Sequence, residues 1–100
     1  MRKLRGGALG RPRSIKYLVF DPKVRYFKPR GVPLSVLEEI ALTKEEIEAL
    51  RLKNLEGLDQ IECAKKMRTS QSTFQRILAL AYKKISEAII KGKAIKIIDK

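Results

Sequence analysis

Apolar residues recur at helical spacing in three stretches of the second half of the chain, which predicts three α-helices. The predicted helices run from about Lys44 to Asn54, from about Gln60 to Met67 and from about Gln71 to Lys91. Each stretch follows a residue type that caps helix N-termini, namely Thr43, Asp59 and Ser70. Glu46 and Glu62 stand at capping-box spacing from the first two caps, and Gly92 ends the third helix.

The third predicted helix separates into two faces when its residues are placed at about 100° intervals. One face is apolar and predicts core packing; it is formed by Phe74, Ile77, Leu78, Ala81, Ile85 and Ala88. The opposite face is polar and basic and carries no acidic residue; it is formed by Ser72, Gln75, Arg76, Ala79, Lys83 and Ser86. The apolar residues of the first helix cover a broader face, as expected for a helix that packs on two sides; they are Ile47, Ala49, Leu50, Leu52 and Leu55.

The remaining segments predict a mainly α fold with short strands near both ends. β-branched and aromatic residues indicate strands at Ile15–Phe20, Val24–Phe27 and Ala94–Ile98, and Leu34–Ile40 has room for one helical turn. Residues 1–14, rich in glycine and basic residues, predict a flexible arm. The predicted organisation is therefore an arm at 1–14, strands and turns packed on the core at 15–42, a helical domain at 43–91 and a C-terminal strand at 92–100.

Charge suggests a polyanionic partner. The 100 residues carry 23 Lys and Arg and 11 Asp and Glu, a net charge of +12, yet 44% of the chain is hydrophobic, as in a folded protein. The net charge is +9 over residues 1–30, −5 over 31–62 and +8 over 63–100. Two basic regions on one side of the fold would form the electrostatic surface of a nucleic-acid binder; the alternative is a basic protein whose charge only aids solubility.

Composition also excludes several classes of function. The chain has no histidine and a single cysteine, Cys63, so imidazole catalysis, an ordinary zinc site and an internal disulfide are excluded, and we expect no enzyme activity, cofactor or metal. The longest runs without a charged residue, Gly31–Leu37 and Thr69–Gln75, are seven residues, too short to span a membrane. We expect a cytoplasmic protein, with Cys63 as a small buried side chain rather than a metal or redox site.

Two further groups of residues have competing interpretations. The acidic residues Glu38, Glu39, Glu45, Glu46 and Glu48 fit helix capping and a solvated surface better than a metal cluster. Three aromatic residues fit a strand core better than base stacking; they are Tyr17, Tyr26 and Phe27.

The second and third predicted helices, joined by a three-residue turn, have the spacing of a helix-turn-helix, although a plain helical bundle has the same pattern. In the helix-turn-helix interpretation the third helix enters the major groove. Its candidate base contacts are Gln71, Ser72, Gln75 and Arg76, and the candidate phosphate contacts are Arg68, Thr69, Ser70, Thr73 and Lys83. Gly10-Arg11-Pro12-Arg13 is similar to the core of an AT-hook, so Arg11 and Arg13 are candidate minor-groove contacts; the alternative is a basic flexible tail.

Dispersed residues resemble known families. Glu56-Gly57-Leu58, Ser70 with Thr73-Phe74, and Arg76-Ile77-Leu78 resemble the region-four helix-turn-helix of sigma factors. Nearly the whole chain is similar to a family of small uncharacterised bacterial and archaeal proteins described as predicted DNA-binding. The further matching stretches are Gly10–Arg13, Tyr26-Phe27-Lys28-Pro29, Leu37-Glu38-Glu39, Glu48–Leu52 and Gly92-Lys93-Ala94. The resemblance implies a sigma-like helix-turn-helix of the winged-helix-like superfamily that binds DNA.

Two features of the sequence depart from that pattern. Arg68 stands where these motifs have glycine at a left-handed turn position, so the turn either holds a non-glycine residue in that conformation or is built differently. Gln71-Ser72 replaces an arginine-containing pair at the start of the recognition helix, which changes the expected base preference.

The sequence therefore predicts a sequence-preferring double-stranded DNA-binding protein used in transcription regulation. Two alternatives stay open: a non-specific coat of RNA or chromosomal DNA, and an interaction module that contacts RNA polymerase through the acidic face of the first helix. The edges of the predicted strands Tyr17–Phe20 and Ala94–Ile98 could pair with each other within one chain or across a two-fold axis. Pairing across the axis would give a homodimer that reads a split site.

Overall fold

A computed structural model describes residues 16–99, which form three helices and a small three-stranded sheet. In chain order the elements are β1 (Tyr26–Phe27), a 3₁₀ turn (Leu34–Val36), β2 (Glu39–Thr43), α1 (Lys44–Leu50), a π-helical turn (Arg51–Leu55), α2 (Gln60–Lys66), α3 (Gln71–Lys91) and β3 (Ala94–Ile98). The arm predicted at 1–14, including Arg11 and Arg13, lies outside the described residues, as do Ile15 and Lys100.

The three helix starts lie where the caps predict them. Thr43 Oγ1 accepts from the backbone N–H of Glu46, and the Glu46 carboxylate accepts from the backbone N–H of Thr43, which completes a capping box. Asp59 accepts from the backbone N–H of Glu62 at 2.8 Å, without the reciprocal bond. Ser70 starts α3, and Gly92 ends it with a φ of 68°, so both predicted bounds of the third helix are confirmed.

The first helix is shorter than predicted, because its α-helical part ends at Leu50 rather than near Asn54. The chain continues as a π-helical turn in which the backbone N–H of Glu56 reaches the carbonyl of Arg51 at 3.0 Å. This wider turn keeps Leu52 buried but places Leu55 outside with 83% of its surface exposed. The predicted core role of Leu55 is therefore wrong.

Two buried clusters hold the helices together. The larger one joins the π-helical turn, α2 and the start of α3 through Leu52, Cys63, Ala64, Met67, Phe74 and Leu78, together with Ala49 of α1. The smaller one joins the sheet to α3, since Leu42 and Ile97 pack with Ala81. The apolar face predicted for α3 therefore faces the core, whereas every residue predicted for its opposite face is exposed.

The sheet has the order β1-β3-β2, with β3 in the centre. β3 pairs parallel to β2, with Ile40 opposite Ile95 and Leu42 opposite Ile97, and antiparallel to β1, with Tyr26 opposite Lys96. The sequence pattern did not predict β2 and instead indicated room for one helical turn up to Ile40. The helical turn exists, but it covers only Leu34–Val36.

The strand predicted at Ile15–Phe20 is wrong over its described part, because residues 16–20 form no strand and do not pair with Ala94–Ile98. These residues instead run along the helices, where the backbone N–H of Tyr17 donates to the carbonyl of Met67 at 2.9 Å. Both edges of β3 have partners within the chain. The strand pairing offered as the reason for a homodimer is therefore wrong, and the dimer stays a prediction.

The predicted burial of the aromatic residues in a strand core is also wrong. Tyr17 is 49% exposed and Phe27 is 52% exposed. Tyr26 is half-buried in β1, and its hydroxyl donates to Glu39 at 2.7 Å. Tyr17 lies outside the sheet, and β1, which contains Tyr26 and Phe27, has only two residues.

Candidate nucleic-acid interface

The first two turns of α3 present a polar surface on a firmly packed helix. Phe74 and Leu78 are buried on the inner side, so the orientation of this end of α3 is fixed by the core. The four candidate base contacts, Gln71, Ser72, Gln75 and Arg76, are all exposed on the outer side. The first turn contains no acidic residue. An exposed, acid-free and partly basic surface is thereby held at a defined angle to the rest of the molecule.

Hydroxyl groups organise the N-terminus of α3. Ser70 Oγ accepts from the backbone N–H of Thr73 at 3.1 Å and lies 2.8 Å from Thr73 Oγ1. Capping uses one of the helix's first N–H groups, so the N–H groups of Gln71 and Ser72 stay directed outward at the positive end of the helix dipole. This geometry suits an anion such as a phosphate.

Gln75 is hydrogen-bonded to a second helix, since its side-chain amide donates to the side-chain oxygen of Gln60 in α2. The two carboxamides therefore form a pair that joins the exposed surfaces of both helices. Gln60 was predicted only as the first residue of a helix and not as part of this surface. The sequence feature that could have identified Gln60 is its position directly after the Asp59 cap, in the first turn of α2.

The turn between α2 and α3 contains the left-handed residue that the sequence analysis considered. Arg68 has a φ of 56°, and it is the only non-glycine residue with positive φ in the part of the chain that the structure describes. Its guanidinium lies over the ring of Tyr17, 4.5 Å from the ring centre. The predicted phosphate contact at this position is therefore already engaged with an aromatic ring, while the neighbouring Thr69 is half-buried.

Most acidic side chains in residues 16–99 form ion pairs within the protein, whereas many Lys and Arg side chains in this range form none. Across residues 16–99, eight of the eleven acidic side chains pair with Lys or Arg. In the same range no ion pair is formed by Lys65 and Lys66 of α2, or by Arg76 and Lys83 of α3. Arg76 and Lys83 are seven residues apart, about 10 Å along the helix axis. The surface of α2 and α3 therefore has uncompensated positive charge.

The acidic face expected on the first helix is only partly a surface. Glu46 is buried and pairs with Lys84 of α3 at 2.9 Å. Glu48 is 1% exposed, and its carboxylate accepts from Arg51 and from the backbone N–H groups of Val19 and Phe20. The prediction of a solvated surface is wrong for both residues, whereas the predicted capping role is confirmed for Glu46. Glu45 remains near the surface, where it pairs with Lys16.

Two titratable groups show how burial and charge act here. Burial alone raises the pKa of Glu48, but the hydrogen bonds from Arg51, Val19 and Phe20 outweigh it and hold that pKa below its ordinary value. Desolvation raises the pKa of the buried Cys63 thiol, as expected for a packing residue. Within residues 16–99, no group of His, Cys, Asp and Glu side chains has an arrangement that could hold a metal ion.

None of the helices between residues 16 and 99 is long and apolar enough to cross a membrane. The fold and surface define a class: a small, basic, mainly helical protein with a three-stranded sheet and an exposed acid-free helix end. The chain belongs to the family described as protein of unknown function DUF134, whose profile matches residues 3–100. No solved structure matches the chain.

Several bacterial relatives are identical to this chain at about half of the aligned positions. A UPF0251 protein of Caldanaerobacter subterraneus is 53% identical over 87 residues, which are 87% of this chain and 74% of that relative. A UPF0251 protein of Desulforudis audaxviator is 51% identical over 89 residues, which are 89% of this chain but only 58% of the relative. A UPF0251 protein of Dehalococcoides mccartyi is 52% identical over 87 residues, which are 87% of this chain and 74% of the relative.

Proposed function

We propose that this protein binds double-stranded DNA with sequence preference and acts as a transcription regulator. In this proposal α2, the turn at Arg68 and α3 form a helix-turn-helix of the sigma region-four type, and α3 enters the major groove. The observation that carries the proposal is the exposed first two turns of α3, which are polar, free of acidic residues and oriented by the buried Phe74. A plain helical bundle does not require such a surface.

The exposed side chains have the chemistry that reads base edges. Arg76 can donate two hydrogen bonds to the O6 and N7 atoms of guanine, and glutamine can pair with the N6 and N7 atoms of adenine. Because Gln75 bonds to Gln60, the two carboxamides would approach a base as one unit. Each well-formed pair contributes about 1–3 kcal/mol of discrimination against the wrong base.

Phosphate contacts would fix the position of the helix in the groove. The outward N–H groups at the start of α3 and the side chains of Ser70 and Thr73 suit one phosphate, and Lys83 suits another further along the strand. The backbone N–H of Tyr17 donates to the carbonyl of Met67, next to the turn between α2 and α3. Arg11 and Arg13, which precede the described residues, are proposed as minor-groove contacts in an additional part of the proposal.

Selection of bound duplexes from a random DNA pool at about 150 mM salt tests the proposal, because this ionic strength screens weak surface electrostatics. We expect recovery of a defined motif. On that motif, the variant Gln75→Ala/Arg76→Ala should lose at least about tenfold in affinity and fall towards its affinity for random duplex.

The matched control is Arg30→Ala, which removes the same charge from an exposed turn remote in sequence from α2 and α3. It should reduce affinity only slightly and equally for all duplexes. Recovery of unenriched sequence, with equal losses for Arg30→Ala and the α3 variant, would overturn the proposal. That result would favour a coat protein that binds through net charge.

A further inference from the structure

A cleft on the side of the helices is lined by both apolar and cationic side chains. It has a volume of about 490 Å³ and lies between residues 17–19, the π-helical turn and the C-terminal end of α2. Its walls include the apolar Val19, Leu52 and Leu58, while Lys65, Lys66 and Arg68 supply positive charge. Its volume falls within the usual range of small-molecule sites, about 300–1,000 Å³.

The charge of this cleft is positive after its internal pairs are counted. Glu48 and Glu56 also line it, but both are paired with Arg51, at 2.8 Å and 3.4 Å. Lys65 and Lys66 form no ion pair with any residue from 16 to 99. The cations that remain available therefore favour an anionic group.

Tyr17 closes one side and adds a flat apolar surface. Its ring is half exposed and is stacked on Arg68, and its backbone N–H is bonded to Met67, so its position is fixed from two sides. Leu52 is buried and Leu58 packs against the core, so the apolar part of the cleft rests on rigid structure. An apolar wall beside unpaired ammonium groups matches a molecule with one apolar end and one charged end.

We propose that this cleft binds a small organic anion with an apolar body, such as an aromatic or aliphatic carboxylate. The carboxylate pairs with Lys65 and Lys66, and the apolar body lies against Tyr17, Val19 and Leu58. The site does not require DNA and is separate from the exposed face of α3. It therefore stands whether or not the proposed DNA binding is correct.

Titration of the full, ¹⁵N-labelled chain with three probes of the same shape tests this proposal. The probes are 2-naphthoate, 2-naphthylmethanol and 2-naphthylmethylammonium, which differ mainly in charge. We expect 2-naphthoate to cause saturable amide shifts at Tyr17, Val19, Lys66 and Arg68. The neutral and cationic probes should bind at least about tenfold more weakly, because neither carries a negative charge that can pair with Lys65 and Lys66.

Substitutions locate the site. Lys65→Gln/Lys66→Gln should weaken 2-naphthoate binding by at least about tenfold, whereas Lys23→Gln/Lys96→Gln, which removes the same charge from two exposed positions elsewhere, should leave it unchanged. Equal binding of all three probes would overturn the proposal, as would shifts centred on the separate apolar groove formed by Phe20, Leu50 and Leu55. If 2-naphthoate did not bind and the Lys65→Gln/Lys66→Gln variant lost only DNA affinity, the proposal would be overturned. The two lysines would then be assigned to phosphate contacts.

Discussion

Replacing Glu48 by glutamine should release Val19 and Phe20 from the helices and lower the free energy of unfolding. The Glu48 carboxylate is almost fully buried and satisfies four donors: Arg51 Nη2 at 2.8 Å, Arg51 Nε at 3.2 Å, and the backbone N–H groups of Val19 and Phe20 at 3.3 and 3.2 Å. A glutamine keeps the shape but has only one acceptor oxygen, and it turns an NH₂ group towards two of these donors.

The free energy of unfolding should fall by about 2–3 kcal/mol in the Glu48→Gln variant. Breaking a fully buried ion pair costs about 3–5 kcal/mol. The cost is smaller here, because Arg51 is partly exposed and keeps Glu56 as a partner at 3.4 Å. For a chain of 100 residues this loss lowers the melting temperature by about 10–20 °C.

Urea unfolding followed by circular dichroism measures the loss, and amide hydrogen exchange of Val19 and Phe20 reports the release of the segment. The matched control is Glu45→Gln on the same helix, whose partly exposed pair with Lys16 at 3.4 Å should matter by no more than about 0.5 kcal/mol. If the Glu48 variant lost no more stability than the Glu45 variant, the buried carboxylate would not be what holds Val19 and Phe20 in place.

The contribution of Glu48 should also depend on pH. Its pKa in the folded protein lies below the ordinary value of 4.5, so its stabilising effect is complete above that pH and is lost as the pH falls through the folded pKa. The difference in stability between the wild type and Glu48→Gln should therefore narrow below pH 4.5. A difference that stayed constant from neutral pH to the acid range would contradict the cause given for the shift.

Two further pairs of substitutions test the turn and the core. Arg68→Gly should be more stable than Arg68→Ala by about 0.5–1 kcal/mol in urea unfolding, because both lose the contact with Tyr17 but only glycine adopts a φ of 56° without strain; the opposite order would refute this. Phe74→Ala should cost about 3–5 kcal/mol by thermal unfolding, while Ile89→Ala, at a position 74% exposed, should stay within about 0.5 kcal/mol; similar losses for both would contradict the assigned core.

Helix positions were predictable because their signals are local. Thr43, Asp59 and Ser70 each bond to a backbone N–H within three residues, so their role can be inferred without knowing the rest of the fold. The two faces of α3 follow from helical geometry alone, and Phe74 and Leu78 lie where this periodicity places them. Within residues 16–99, the π-helical turn after Leu50 departs from this regular helical spacing.

The sheet was only partly predictable because strand pairing is non-local. Ala94–Ile98 has a strand pattern of its own, but its partner Glu39–Thr43 is rich in residues that favour helices and becomes a strand by pairing in parallel with it. Residues 17–20 have strand-forming side chains, yet they find Glu48 and Met67 as hydrogen-bond partners instead of a strand.

The candidate interface was likewise only partly predictable from the sequence. The exposure of Gln71, Ser72 and Arg76 followed from the face of the helix on which they lie. The bond between Gln75 and Gln60 and the stacking of Arg68 on Tyr17 did not, because each joins side chains from different segments. Short-range patterns therefore identified the surface but not the side chains that organise it.

The sequence by itself determined the number of helices, their caps and the inward face of the longest one, since these depend on residues a few positions apart. Tertiary structure alone decided which strand pairs with Ala94–Ile98 and that Glu48 is buried rather than solvated. The physical reason is that burial of a charge becomes favourable only when distant groups supply its hydrogen bonds. For Glu48 those groups are the amides of Val19 and Phe20, which the folded chain brings beside Arg51.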